Sequence, residues 1–254
     1  MTFLMIGAGN VATSLVPALQ KAGHEVVQVY SRTLASAKRL ADTAGCQATD
    51  NINKVSPDAD VYLFCLKDDV IAEVADQLQK VDKSALFIHT SGSVDIDVLM
   101  SDGRCCGVIY PMQTFSRERV VDMTHVPCFT EASDEDTMST VTALAQSITD
   151  NVMPLSSEGR RWLHIAAVFA CNFSNHCYAL AQRALEAQGL PFSLMLPLID
   201  ETTRKAHTMA PRDAQTGPAV RHDTRVTDRH IEMLASQPEL QRIYKLMTQS
   251  IERL

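Results

Sequence analysis

Gly7, Gly9 and Ala12 fall in the run Phe3-Leu4-Met5-Ile6-Gly7-Ala8-Gly9-Asn10-Val11-Ala12-Thr13, three small residues at the spacing G-x-G-x-x-A. The apolar residues before them predict a strand, and those after them a helix. In that setting Gly7 permits a tight turn, Gly9 lets backbone approach a pyrophosphate, and Ala12 lets the helix pack close to the strand. The free amides and positive helix end at Asn10 and Val11 would then hold the phosphates. The competing reading is an ordinary strand–turn–helix whose glycines serve geometry alone. The motif's place, directly after a strand and opening a helix, favours the dinucleotide site.

The next strand, Glu25-Val26-Val27-Gln28-Val29-Tyr30, runs into Ser31-Arg32-Thr33. Sites that prefer NAD usually end this strand in Asp or Glu, which binds the ribose hydroxyls. Here the acid is missing, and Arg32 with the Ser31 and Thr33 hydroxyls would bind a 2′-phosphate. The cofactor expected from these residues is therefore NADP. The alternative makes Ser31 the cap of a helix beginning near Leu34 and leaves Arg32 as a solvated charge.

In open α/β sheets, ligands bind beyond the carboxyl ends of the strands. Three such ends are polar: Leu66-Lys67-Asp68-Asp69, His89-Thr90-Ser91-Gly92-Ser93 and Tyr110-Pro111-Met112-Gln113-Thr114-Phe115. The nicotinamide is expected across the first two, with Leu66 and Lys67 among the cofactor contacts and His89 and Ser91 on the catalytic side. For Asp68 and Asp69 helix capping competes with ligand contact. For the His89–Gly92 run a capped turn into a short helix over 94–100 competes equally.

Farther on, His164, Val168, Asn172 and His176 recur every four residues. On a helix they share one face, drifting about 40° per step. Asn172 stands out as a polar group in an apolar stretch, either a satisfied structural residue or a functional one. Last, Gln215-Thr216-Gly217-Pro218-Ala219-Val220-Arg221-His222-Asp223 predicts a helix over 218–222 with Thr216 as cap. Its amides, with Thr216, Gly217 and Arg221, would suit a substrate carboxylate. The alternative is a tight interdomain or dimer contact.

The elements that must carry these groups alternate. Strands are expected at 2–6, 25–30, 46–48, 60–66, 85–89, 106–110, 126–130 and 151–155, with helices at 10–22, 34–44 and 68–79 and another opened by Ser133. Apolar strands between amphipathic helices indicate an α/β fold, a doubly wound, mostly parallel sheet of Rossmann type. Asp134, Glu135 and Asp136 fit cap and dipole chemistry better than a metal site. After residue 156 the strands stop. One long helix is expected over 157–188, apolar nearly all round and so buried, as such helices often are between subunits, with further helices at 192–209, 218–222, 227–235 and 238–252. The domains are thus 1–155, dinucleotide-binding, and 156–254, helical.

Composition narrows the function classes. The chain has 254 residues, 46% of them hydrophobic, and a net charge of −7. No run of Lys and Arg exceeds an adjacent pair, which argues against a nucleic-acid partner. No apolar run approaches a membrane span, and there is no leader pattern, so a cytoplasmic protein without a membrane partner is expected. The seven cysteines are odd in number and lack a C-x-x-C pair. They are expected to be reduced and mostly buried, and no ligand spacing supports a metal.

Taken in order, GAGNVA, the Ser31-Arg32 pair, HTSGS, YPMQTF, ACNF and TGPAVRHD resemble a family of NADP oxidoreductases in which a Rossmann-like domain is fused to a helical domain of unknown function. The resemblance covers nearly the whole chain. It extends to pyrroline-5-carboxylate reductase, ketopantoate reductase, the 6-phosphogluconate and β-hydroxyacid dehydrogenases and the deazaflavin-dependent NADP reductases. It implies an NADP site, a cleft between domains and a homodimer built through the helical domain. Dehydrogenases of this superfamily often carry a catalytic Lys and Asn on the first helix of the second domain. Here the Lys position matches His164 and the Asn matches Asn172, with His164 able to donate a proton. The activity expected is NADP-dependent reduction of a small ketone or imine, one bearing a carboxylate. The missing Lys leaves an alternative, a catalytically silent NADP-binding sensor or scaffold, and a flavin or deazaflavin partner is a third reading.

Overall fold

The computed structural model describes residues 1–78, 80–100 and 103–254. Its strands are β1 (Thr2–Ile6), β2 (Glu25–Tyr30), β3 (Gln47–Thr49), β4 (Val61–Phe64), β5 (Leu86–His89), β6 (Cys106–Pro111), β7 (Cys128–Ala132) and β8 (Val152–Pro154). They form one sheet in the order β3-β2-β1-β4-β5-β6-β7-β8. All neighbours pair in parallel except β6 and β7, which are antiparallel. The first six strands have the doubly wound order, whose direction reverses between β1 and β4.

Helices α1 (Asn10–Lys21), α2 (Leu34–Ala44), α3 (Ile71–Gln77) and α4 (Glu135–Ile148) cover the sheet. Alternation along β1 explains the two cores. Phe3 and Met5 face Leu15, Val16, Val141 and Leu144, whereas Leu4 and Ile6 face Tyr62, Phe64, Ile71 and Phe87. Successive side chains of a strand point to opposite faces, so a sheet covered on both sides needs apolar residues throughout.

Several expected boundaries move. The stretch expected as one helix from 68 is a 3₁₀ turn, Asp68–Val70, followed by α3, and the expected end at Gln79 lies outside the described residues. The short helix at 94–100 is a 3₁₀ segment, Ile96–Leu99. The cap of α4 is Asp134 rather than Ser133. Its carboxylate accepts from the Thr137 amide at 2.8 Å and from the Thr137 and Ser133 hydroxyls, bonds that hold its pKa down to about 2.

Met1–Cys171 and Asn172–Leu254 are separate compact units. The long helix expected over 157–188 is three pieces: α5 (Ser157–Ala167), a π-helical segment Val168–Phe173, and α6 (Ser174–Glu186). Nor is it buried within the chain, for Trp162 and Phe169 are 67% and 64% exposed. The second unit continues with a 3₁₀ turn, Phe192–Met195, then α7 (Leu196–Ala206), α8 (Thr224–Met233) and α9 (Pro238–Ile251). The helix expected at 218–222 is a turn, flanked by left-handed backbone at Gly217 (φ +113°) and His222 (φ +52°). The seven cysteines are free thiols, of which Cys65, Cys106 and Cys128 are buried and Cys105 and Cys177 exposed, fewer buried than expected.

Candidate functional site

The β1–α1 turn sits at the reversal point of the sheet. Gly7 has φ +111°, and a Cβ there would lie 2.3 Å from the Cys65 carbonyl oxygen at the end of β4. Only glycine fits both the backbone and the space. Gly9 is the cap residue of α1, and among the described residues no side chain caps that helix, while Ala12 is fully buried against the sheet. Free amides at an uncapped helix end, with a positive dipole behind them, are what a diphosphate needs. The Asn10 side chain donates instead to the Phe115 carbonyl at 3.0 Å, tying the turn to the loop after β6.

At the end of β2, Ser31 is half-buried and its amide donates to the Thr49 carbonyl, whereas Arg32 is exposed. Thr33, not Ser31, is the cap residue of α2, so the capping alternative for Ser31 falls. Beyond β4, Leu66 packs at the Gly7 turn and Lys67 is exposed. These groups lie side by side at the ends of β1, β2 and β4, where Ile6 pairs with Tyr30 and with Phe64.

Next to it lies a second cluster, at the ends of β4, β5 and β6. His89 is fully buried. Its Nδ1 accepts from the Ser91 amide at 3.2 Å, and burial, then the Arg160 charge, push its pKa down to about 3. At physiological pH its ring is therefore neutral. The Ser91 hydroxyl accepts from the Ser93 and Val94 amides, each at 3.1 Å, and so shapes the turn. The Ser93 hydroxyl donates to Asp68.

Two features of this cluster escape sequence reasoning. Arg160, on α5, is completely buried. Its guanidinium donates to the Ser91 carbonyl at 2.7 Å, the Val94 carbonyl at 3.0 Å, the Ser157 hydroxyl at 2.7 Å and Glu131 at 2.7 Å. Glu131 also accepts from the Ser157 amide and hydroxyl. The His89–Val94 loop is thereby clamped to α5 and β7. One turn along α5, His164 places Nδ1 3.2 Å from the Tyr110 hydroxyl at the end of β6. The spacing of four between Arg160 and His164 was the available signal, since it puts both on one helix face.

In the second unit, Asn172 is exposed, so the argument from burial of a polar group does not apply to it. Thr216 and Arg221 are exposed, and no helix begins at Gly217. The nearest helix N-terminus is that of α8, and it is already capped by Asp223, which accepts from the Val226 amide at 3.3 Å. The carboxylate site expected from helix amides over 216–218 is therefore not formed in that way.

Residues 2–92 match the family described as NADP oxidoreductase coenzyme F420-dependent, and residues 126–251 match a domain of unknown function, DUF2520. No curated protein matches the chain. Among solved structures, a putative NADP oxidoreductase from Bacteroides fragilis is 44% identical over 100% of this chain and 98% of that one, with a TM-score of 0.95. A Thermotoga maritima protein shares the fold at 22% identity, covering 99% of this chain and 98% of its own, with a TM-score of 0.81. So does a reductive aminase from Aspergillus terreus, solved with NADPH and ethyl-5-oxohexanoate, at 17% identity over 99% and 93%, with a TM-score of 0.72. The dinucleotide-type turn, the sheet order and this full-length likeness agree: the chain belongs to the NADP oxidoreductase family of the Bacteroides fragilis protein, an oxidoreductase domain followed by a DUF2520 domain.

Proposed function

We propose that this protein uses NADPH to reduce a small ketone or imine. The observation that carries the reading is the uncapped turn at the β1/β4 reversal, with Gly7 forced by its backbone and by Cys65, and with Arg32 rather than an acid after β2. The amides of Gly9, Asn10 and Val11 hold the diphosphate. Ser31 and Arg32 hold the 2′-phosphate, and Leu66 and Lys67 flank the nicotinamide half. NADPH bound there supplies a hydride. The protein supplies orientation and a proton, of which His164 is the proposed source. Ser91 and the neutral His89 keep the loop in shape rather than exchange protons.

A carboxylate on the substrate is the finer part of the proposal. Arg160 cannot meet it, being buried and paired with Glu131. Arg221, with Thr216 and Gly217, is the proposed contact in the helical unit, and Asn172 the proposed polar contact on its helix. Functionally we divide the chain at 155/156, the helical part serving substrate binding and dimer formation. Exposed Trp162, Phe169, Phe173, Leu198 and Met233 support a homodimer. Among the described residues no helix is long and apolar enough to cross a membrane; we place the protein in the cytoplasm.

The test is NADPH oxidation, followed at 340 nm, across α-keto acids, simple ketones and cyclic imines. Turnover on one of these classes supports the reading. NADPH binding without turnover on any of them favours the non-catalytic sensor that the missing Lys allows.

A further inference from the structure

Tyr110 plays no part in the assignment so far, yet it is the centre of the second cluster. Its ring is nine-tenths buried at the end of β6, and its hydroxyl meets His164 Nδ1 at 3.2 Å. The rings stand edge to face, with centroids 6.3 Å apart. Gly92 closes over the pair. A Cβ on it would lie 2.7 Å from Tyr110 Cζ, 2.9 Å from Cε2 and 3.0 Å from His164 Nδ1. The backbone at 92 is therefore in contact with both rings. The loop that brings it there is fixed by the Arg160 bond to the Ser91 carbonyl. Three strand ends and α5 converge to hold one phenol against one imidazole.

We propose that Tyr110 and His164 form a proton relay in which the Tyr110 hydroxyl is the catalytic acid and His164 recharges it. The inference rests on the reductase reading above. As hydride reaches the carbonyl or imine carbon, the Tyr110 Oη–H bond breaks and its proton bonds to the substrate oxygen or nitrogen. The His164 Nδ1–H bond then breaks, and that proton restores the phenol. The imidazolium becomes neutral imidazole and regains its proton from solvent. One hydride and one proton are consumed per substrate, and the phenol is returned unchanged.

The surroundings favour a neutral phenol held ready to donate. Burial raises the Tyr110 pKa, the Arg160 charge lowers it, and Asp68 raises it. Arg160 is itself paired with Glu131 at 2.7 Å, while Asp68 accepts from Ser93.

The experiment uses Tyr110→Phe, which keeps the ring that packs against Gly92 and removes only the hydroxyl. Labelled-histidine NMR would follow the His164 titration in wild type and variant, with NADPH affinity measured on both by fluorescence. The relay predicts a displaced His164 midpoint in Tyr110→Phe, with NADPH affinity within about twofold. On pyruvate and 1-pyrroline-2-carboxylate as probes, turnover should fall roughly 100-fold in Tyr110→Phe, the scale of general acid catalysis. Wild-type turnover should fall as pH rises through the measured His164 titration, and the residual rate of the variant should lose that dependence. An unchanged His164 midpoint overturns the relay, as does wild-type turnover in Tyr110→Phe. Failure of wild type to bind NADPH overturns the reductase reading instead, and the two failures are told apart by the binding measurement.

Discussion

Replacing Glu131 with Ala should destabilise the protein more than any surface substitution, and the size of the effect follows from the geometry. Glu131 Oε2 accepts from Arg160 Nη2 and from the Ser157 hydroxyl, each at 2.7 Å, and Oε1 accepts from the Ser157 amide at 2.8 Å. The Arg160 side chain is 0% exposed and that of Glu131 17%. Truncation leaves a guanidinium buried without a counter-charge, and breaking such a pair costs about 3–5 kcal/mol. For a chain of this size each kcal/mol lowers Tm by roughly 2–4 °C, so a drop of roughly 6–20 °C is expected. Arg161→Ala is the control. It removes a 3.1 Å contact to Asp95 between side chains that are 46% and 41% exposed. Pairs of that kind contribute about 0–1 kcal/mol. Urea unfolding of the three proteins, checked by thermal scans, compares them directly. A Glu131→Ala loss below about 1 kcal/mol would show that water or a rearranged Arg160 neutralises the site, and would remove the clamp from the account of the His89–Val94 loop.

Three further outcomes follow from the same structure. His89 has a native pKa near 3 against an ordinary value of 6.5, so its contribution is fully present above pH 6.5 and declines as pH falls toward 3. The unfolding free energy from urea titrations should drop by about 1.4 kcal/mol per pH unit from this group across that window, and His89→Gln should flatten the slope. Gly92→Ala should cost about 1–3 kcal/mol by overpacking against Tyr110 and His164, seen as a lower urea midpoint; wild-type stability would mean that the rings move aside freely. Gly7→Ala should abolish NADPH-dependent thermal stabilisation, because its Cβ meets backbone at Cys65 that cannot yield; retained stabilisation would displace the diphosphate from this turn.

The sequence is most legible where structure is decided locally. The strand 25–30 and helix 34–44 coincide with β2 and α2, because apolar alternation and the Gly23 and Gly45 turns lie within a few residues of each other. The Gly7 turn is legible for the same reason. Contacts between distant residues are not. No residue local to Arg160 points to a buried counter-charge, and only the fold brings Glu131 to it, 29 residues earlier. Tyr110 and His164 are 54 residues apart, and neither residue type announces the other. Pro218 after Gly217 suits a helix start, but left-handed backbone at Gly217 and His222 holds a turn there, and Asp223 starts the helix later. The apolar stretch 165–173 predicts burial, yet a single chain leaves Ile165, Phe169 and Phe173 exposed. Hydrophobicity records that a surface avoids water, not which molecule covers it.

The most direct test is calorimetric titration of the wild-type protein and Arg32→Ala with NADPH and with NADH, at one ionic strength. NADPH should bind wild type at least about tenfold more tightly than NADH, and Arg32→Ala should lose most of that difference while keeping its NADH affinity, as expected for one charge-assisted contact to a phosphate. Equal affinities for the two cofactors in wild type, or no binding of either, would contradict the assignment of the β1–α1 turn and Arg32 as the NADP site.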